Sequence, residues 1–323
     1  MSRGKAFRAI LCLSTVLAGG IAAPAIAKSA HPNVDANGVD LTDGSFNLRL
    51  PIASIGSGSG ALELTAYDSN IDNFTELYAY QSVGGGGKFL SVVLGNSFDN
   101  FSSADGFAKS TRGSGATITV NGDNSVTYRT LDGVEILFGN PVSEQGGASN
   151  ICDSNNDGTC FRLALSVTQP SELTLAYNWD LLPSCTTQQV PDEWPSCTYS
   201  WRLKEVSNEA GYSVAFTFAN NGIWPNNNSG PSWFQRTSAQ LKNANASAAS
   251  WPTVTYGNPS TGVYTFTTPG GRTWRITKSG NLVTGIRRPS ATSDTTTITY
   301  SGSTVTSVTS DGVTTNYAAP SRA

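Results

Sequence analysis

Apolar and polar residues alternate with a period of two through most of this chain. Ala61-Leu62-Glu63-Leu64-Thr65-Ala66-Tyr67, Ala116-Thr117-Ile118-Thr119-Val120 and Val254-Thr255-Tyr256 are clear instances. Such alternation places one set of side chains on each face of a strand. Turn residues interrupt the runs at short intervals: Asn121-Gly122-Asp123, Asp132-Gly133, Asn221-Gly222, Gly270-Gly271 and Asp311-Gly312. Asx-Gly pairs between alternating runs predict hairpins, because glycine accepts the positive φ that tight turns require. The expected fold is therefore all-β, with many short antiparallel strands. Ala239 to Ser250 is the only stretch after the N-terminal leader with helical character, and its Asn and Ser content suits a loop equally well.

One phrase recurs in degenerate form. A strand ending in Tyr or Phe is joined through a Gly turn to a short β-branched run. The clearest copy runs from Arg202 through Gly211-Tyr212 to Phe218, and related copies span Gly280 to Tyr300 and Thr304 to Tyr317. A repeated strand–turn–strand unit implies an extended architecture in which each unit covers its neighbour. The last copy ends at Asn316-Tyr317 with no capping sequence after it, so the chain reads as the front part of a longer design.

The first residues set the compartment. Arg3, Lys5 and Arg8 precede an apolar run from Ala9 to Ile26, and Ala25-Ile26-Ala27 supplies small residues for cleavage. This reads as a secretory signal peptide cut after Ala27; Gly19, Gly20 and Pro24 disfavour an uncleaved anchor helix. A secreted, periplasmic or cell-surface location is expected, with no membrane span after cleavage. The remaining chain divides at a soft boundary near Pro141 to Asn150 into a Gly-rich region, 28–145, and a repeat-like region, 146–323. Only 13% of residues are charged and the formal net charge is -3, which argues against a nucleic-acid partner.

Four cysteines follow the leader: Cys152, Cys160, Cys185 and Cys197. An even number in an exported chain favours disulfides. Three connectivities are possible, and the local pairs Cys152–Cys160 and Cys185–Cys197 are preferred because each brackets a turn-rich loop. No Cys-x-x-Cys spacing supports zinc. Asp153-x-Asn155-x-Asp157-Gly158 begins like a calcium loop, but Ala164 stands where the closing Glu would be.

The repeated phrases resemble the Tyr-Asp (YD) repeats of the Rhs family, relatives of the teneurin shells. Asn37-Gly38-Val39-Asp40-Leu41-Thr42-Asp43-Gly44 resembles the family's lead-in, Val126 to Phe138 its early strands, and Thr268-Pro269-Gly270-Gly271-Arg272 its Pro–Gly–Arg turn. The Tyr-Asp pair itself is mostly lost: Ser301 follows Tyr300 and Ala318 follows Tyr317. The resemblance implies a β-sheet ribbon spiralling into part of a hollow shell, with the rest of such a shell or its cargo as partner. The family's core-domain signature and self-cleaving acidic site have no counterpart.

Catalytic chemistry finds little support. His31 is the sole histidine and lies just after the leader. Asp68, Asp72, Asp180, Asp192 and Glu193 are carboxylates by type alone. Lys88 after Gly84 to Gly87 precedes Phe89 where a phosphate loop needs Ser or Thr. The expectation is a structural shell segment, not an enzyme, without cofactor or metal. The alternative is a secreted β-sandwich adhesin or carbohydrate-binding module, with Trp194, Trp224, Trp233 and Trp251 stacking on a cell-surface glycan.

Overall fold

The computed structural model describes residues 34–41, 43–67, 77–84, 87–94, 97–107, 109–111, 113–139, 160–171, 173–185, 197–220, 233–247 and 250–318. The leader, His31, Cys152, Trp194 and Trp224 lie outside them, as does the proposed boundary at 141–150. Among the described residues there are twenty strands, two short 3-10 turns and no helix long and apolar enough to cross a membrane.

Fifteen of the strands form one unbroken antiparallel ladder in chain order. It opens with β6 (Thr117–Val120), β7 (Val126–Arg129), β8 (Glu135–Phe138) and β9 (Cys160–Thr168). The long pair β10 (Thr174–Cys185) and β11 (Cys197–Asn208) follows, then β12 (Tyr212–Phe218), β13 (Arg236–Asn243), β14 (Thr253–Ser260) and β15 (Val263–Thr267). It finishes with β16 (Thr273–Ser279), β17 (Leu282–Arg287), β18 (Thr296–Ser301), β19 (Thr304–Ser310) and β20 (Val313–Asn316). The three repeat-like phrases fall on β11–β12, β17–β18 and β19–β20. Asp311 and Gly312 take φ of 50° and 83° in the last hairpin turn, the conformation that the Asx-Gly pair was expected to supply.

A second meander, β3 (Leu77–Gly84), β4 (Gly87–Leu94) and β5 (Ser97–Ser102), joins the ladder at β9. The fork is filled by aromatic rings: Phe161 lies 4.7 Å from Trp201, with Tyr78 and Tyr80 beside them. β3 and β4 pair antiparallel with Gly84 opposite Gly87, and Lys88 lies in a strand, not at the start of the helix that a phosphate loop requires. Among the described residues no ladder joins β20 to β3 or β5 to β6, so the sheet is open.

Twisted open sheets of more than ~10 strands rarely persist without curling, splitting into packed sheets or flattening. The buried side chains form one core that includes Val126, Ile136, Phe138, Val214, Leu241, Phe266, Ile276 and Val305. A two-stranded ribbon, β1 (Arg49–Ile55) and β2 (Leu62–Tyr67), contributes Leu48, Ile52, Leu62, Leu64 and Ala66 to that core. The Asn208 side-chain amide fixes the ribbon by donating to the Gly60 carbonyl at 2.7 Å. The core thins toward the C-terminal end, and β20 buries no residue. Ser and Thr pairs such as Thr299–Ser307 and Thr309–Thr314 cover much of the polar surface there.

Two sequence expectations change. Ala239 to Ser250 is not a helix: β13 runs through its first half and buries Ala239 and Leu241 between β12 and β14. Tertiary pairing overrides the helix preference of alanine. The last hairpin is also not bare. Residues 35–44 reach it from the other end of the described chain, and the Val305 amide of β19 donates to the Gly44 carbonyl at 2.8 Å.

Phe138 is fully buried, so Phe138→Ala should cost about 3–5 kcal/mol in urea unfolding. Val313→Thr on the exposed β20 should stay within about 0.5 kcal/mol. Equal effects would contradict a core that thins toward β20.

Candidate functional site

The most elaborate polar cluster is built around Arg202. Alternation on β11 points this side chain toward Phe218 of β12, and it is 6% exposed. A buried guanidinium needs its donors filled and its charge opposed. Its Nε and Nη2 donate to Asp180 Oδ2 of β10 at 3.3 and 3.2 Å. Nη1 donates to the Asn220 and Trp233 carbonyls at 2.8 and 2.7 Å. The guanidinium carbon lies 4.0 Å from the Phe218 ring centroid and 4.4 Å from that of Trp233. Arg236 approaches Phe216 at 4.3 Å and also faces Phe218, so two cations alternate with three aromatic rings. Burial lowers the Arg236 pKa to about 10, which leaves it charged at neutral pH, and burial raises that of the neighbouring Tyr256 phenol. The cluster clamps both ends of the β12–β13 connection to β10 and β11.

A second cluster gathers around Asp99 of β5. Its carboxylate accepts from Ser110 and, at 2.5 and 3.1 Å, from Ser114 and the Tyr128 hydroxyl. Every hydroxyl here is a donor to one buried carboxylate, which ties the connection after β5 to β7. Burial and the adjacent Asp99 charge raise the Tyr128 pKa.

A third cluster joins the two ends of the described chain. Asn37 Nδ2 donates to the Tyr317 hydroxyl at 2.8 Å and to Thr315 Oγ1 at 3.3 Å, and Tyr317 donates to Asp35 Oδ2 at 2.5 Å. Asp35 also accepts the Asn37 and Val39 amides, each at 2.9 Å. Partial burial raises the Asp35 pKa, but the bonds from Tyr317, Val39 and Asn37 outweigh it and the net shift is downward. Partial burial, then the bond to Asp35, raise that of Tyr317.

The residues singled out from sequence fare differently. Trp233 is 4% exposed, its ring held between Arg202 and Phe234. Trp251 is half-buried ahead of β14. Cys160 opens β9, and the β10–β11 register sets Cys185 directly opposite Cys197. Asp180 serves the Arg202 clamp. Among the described residues no group of three or more His, Cys, Asp or Glu side chains could hold a metal ion.

No family model matches the chain, and no curated protein matches it. Solved structures do. The crystal structure of TcdB2-TccC3-Cdc42 aligns at 9% identity and a TM-score of 0.38, covering 80% of this chain and 16% of that one. The N-terminal domain of effector protein SpvB from Salmonella typhimurium strain LT2 aligns at 9% identity and a TM-score of 0.33, covering 74% and 97%. TcdB2-TccC3-TEV aligns at 10% identity and a TM-score of 0.34, covering 80% and 16%. This chain thus spans about a sixth of the first structure, and scores this low carry no inference about activity.

Two outcomes follow. Arg202→Ala should cost about 3–5 kcal/mol in chemical unfolding, with Arg202→Lys intermediate, because the lysine keeps the charge but loses the fork. Wild-type behaviour of Arg202→Ala would contradict the clamp. Asp35, with its lowered folded pKa, contributes stability above its unfolded pKa of about 3.9 that is lost as pH falls through the folded value. Tyr317, with its raised pKa, contributes stability below its unfolded pKa of about 10 that is lost as pH rises through the folded value. Intrinsic-rate-corrected exchange of the Val305 amide should therefore be slowest between these limits, and Tyr317→Phe should flatten both limbs. An unchanged profile in that variant would contradict the assignment.

Proposed function

We propose that this chain is an exported, Rhs-like structural shell segment, without catalysis of its own, working within a larger toxin-delivery or cell-surface assembly. The observation that carries this reading is the unbroken fifteen-strand ladder in chain order with one continuous core. Curling is one way a twisted ladder of this width is accommodated, and a curled face would suit enclosing or displaying another polypeptide. The three polar clusters support the same reading, since each spends its side chains on holding connections in place. The paired Cys185 and Cys197 positions suit an oxidising compartment.

The second reading, a secreted carbohydrate-binding or adhesin module, rests on Trp251, the half-buried tryptophan in a connection between strands.

Co-purification of the exported chain from its native source separates the two. The shell reading predicts a stoichiometric second polypeptide that resists protease until the β-fold is unfolded. A chain without a passenger, showing glycan-array binding that disappears in Trp251→Ala, would overturn it in favour of the module.

A further inference from the structure

The ladder ends at β20 with one strand edge unpaired. β20 pairs with β19 alone, in continuous register from Ser310–Val313 to Ser307–Asn316. The Tyr317 amide donates to the Thr306 carbonyl, which marks that pair as a hydrogen-bonded one. Antiparallel pairs alternate, so Thr315 and Val313 also bond inward to β19, and Thr314 and Asn316 turn their N–H and C=O groups outward. Both residues are exposed, and among the described residues no backbone hydrogen bond reaches them from the outer side. Residues 35–44 leave this edge open: Asn37 meets the side chains of Thr315 and Tyr317, and Gly44 meets Val305 of β19.

Edge strands commonly carry a Lys, a Pro, an inward-pointing charge or a bulge that discourages a further strand. Val313-Thr314-Thr315-Asn316 has none of these. The other end of the ladder is better covered, since β6 buries Ile118 and the preceding Ala116 is buried too. β20 buries no residue. Its Val313 is 72% exposed, although Val313, Thr315 and Tyr317 share the face on which Val308, opposite Thr315, joins the core.

The edge is complementary to itself. With Thr314 opposite Asn316 of an antiparallel second copy, the pairing is two-fold symmetric about Thr315. Each outward residue then exchanges both of its backbone bonds with an outward residue of the other copy. The exposed Val313 falls directly opposite Tyr317 of the second copy, a β-branched–aromatic pair of the kind that stabilises antiparallel strands. Moving the register by two residues in either direction separates Val313 from Tyr317.

We propose that β20 is a docking edge for a second copy of this chain, joined antiparallel through β20 of each copy with Thr315 on the two-fold axis. The contact is far smaller than the ~800 Å² per partner of a standard interface, so the dimer is weak and concentration-dependent.

Sedimentation equilibrium of the full chain between about 1 μM and about 1 mM should show a reversible monomer–dimer equilibrium. Thr314→Pro removes only an outward N–H and should raise the dissociation constant about tenfold or more, whereas Val120→Lys on β6 should change it less than threefold. Thr314→Lys carries the same test if Thr314→Pro fails to fold by circular dichroism. In a mildly oxidising buffer Thr315→Cys should cross-link two copies beyond the wild-type level, because opposed positions outside the hydrogen-bonded pairs approach most closely, while Asn316→Cys should not. A monomer throughout the range would overturn the proposal. So would oligomers that keep growing with concentration, which would assign the edge to a head-to-tail contact with β6. A dimer kept in Thr314→Pro but lost in Val120→Lys, or cross-linking at Asn316→Cys and not at Thr315→Cys, would overturn it as well.

Discussion

Every strand from β6 to β20 is paired to its neighbour in sequence, and the rest of the structure follows from that constraint. Most connections in this ladder are short, which keeps their chain-entropy cost low; the longer ones join β8 to β9, β10 to β11 and β12 to β13. It also leaves one continuous apolar face that must be covered. The β1–β2 ribbon contributes to that cover, and so do β3 and β4 of the fork at β9 through Leu77, Ala79, Leu90 and Val92. Toward β20 the apolar face gives way to a Ser- and Thr-rich surface, and hydrogen bonds from residues 35–44 take over the holding role.

The polar clusters compensate for places where the ladder alone is weak. The Arg202 clamp spans the connection between β12 and β13. Asp99 ties the connection between β5 and β6. The Asp35–Tyr317 contact bridges residues 282 positions apart and fastens the last hairpin. In each case a connection or a hairpin is secured by a few polar side chains from segments apart in sequence, which suits a sequence with few charges.

Much of the fold was legible in the sequence. Period-two alternation and Asx-Gly turns gave the hairpins, because strand pleat and positive φ are local properties. Asp311-Gly312 is the clearest case. The clusters were not legible in the same way. Arg202 read as an ordinary strand residue and Trp233 as an exposed loop aromatic, since their stacking requires β11, β12 and the β12–β13 connection together. Nothing in local spacing links Asp35 to Tyr317. Ala239 misled because helix preference is local while β13 is imposed by its two neighbours.

The molecule is a single graded ladder, stabilised by a core that thins toward one end. Native-state hydrogen exchange resolved along the whole chain tests it most directly. Strongest protection is expected through β7–β12, with a progressive decline through β14–β20 interrupted by local protection at Val305, where Gly44 meets β19. Uniform protection along the chain, or two blocks that open independently on either side of β9, would contradict it.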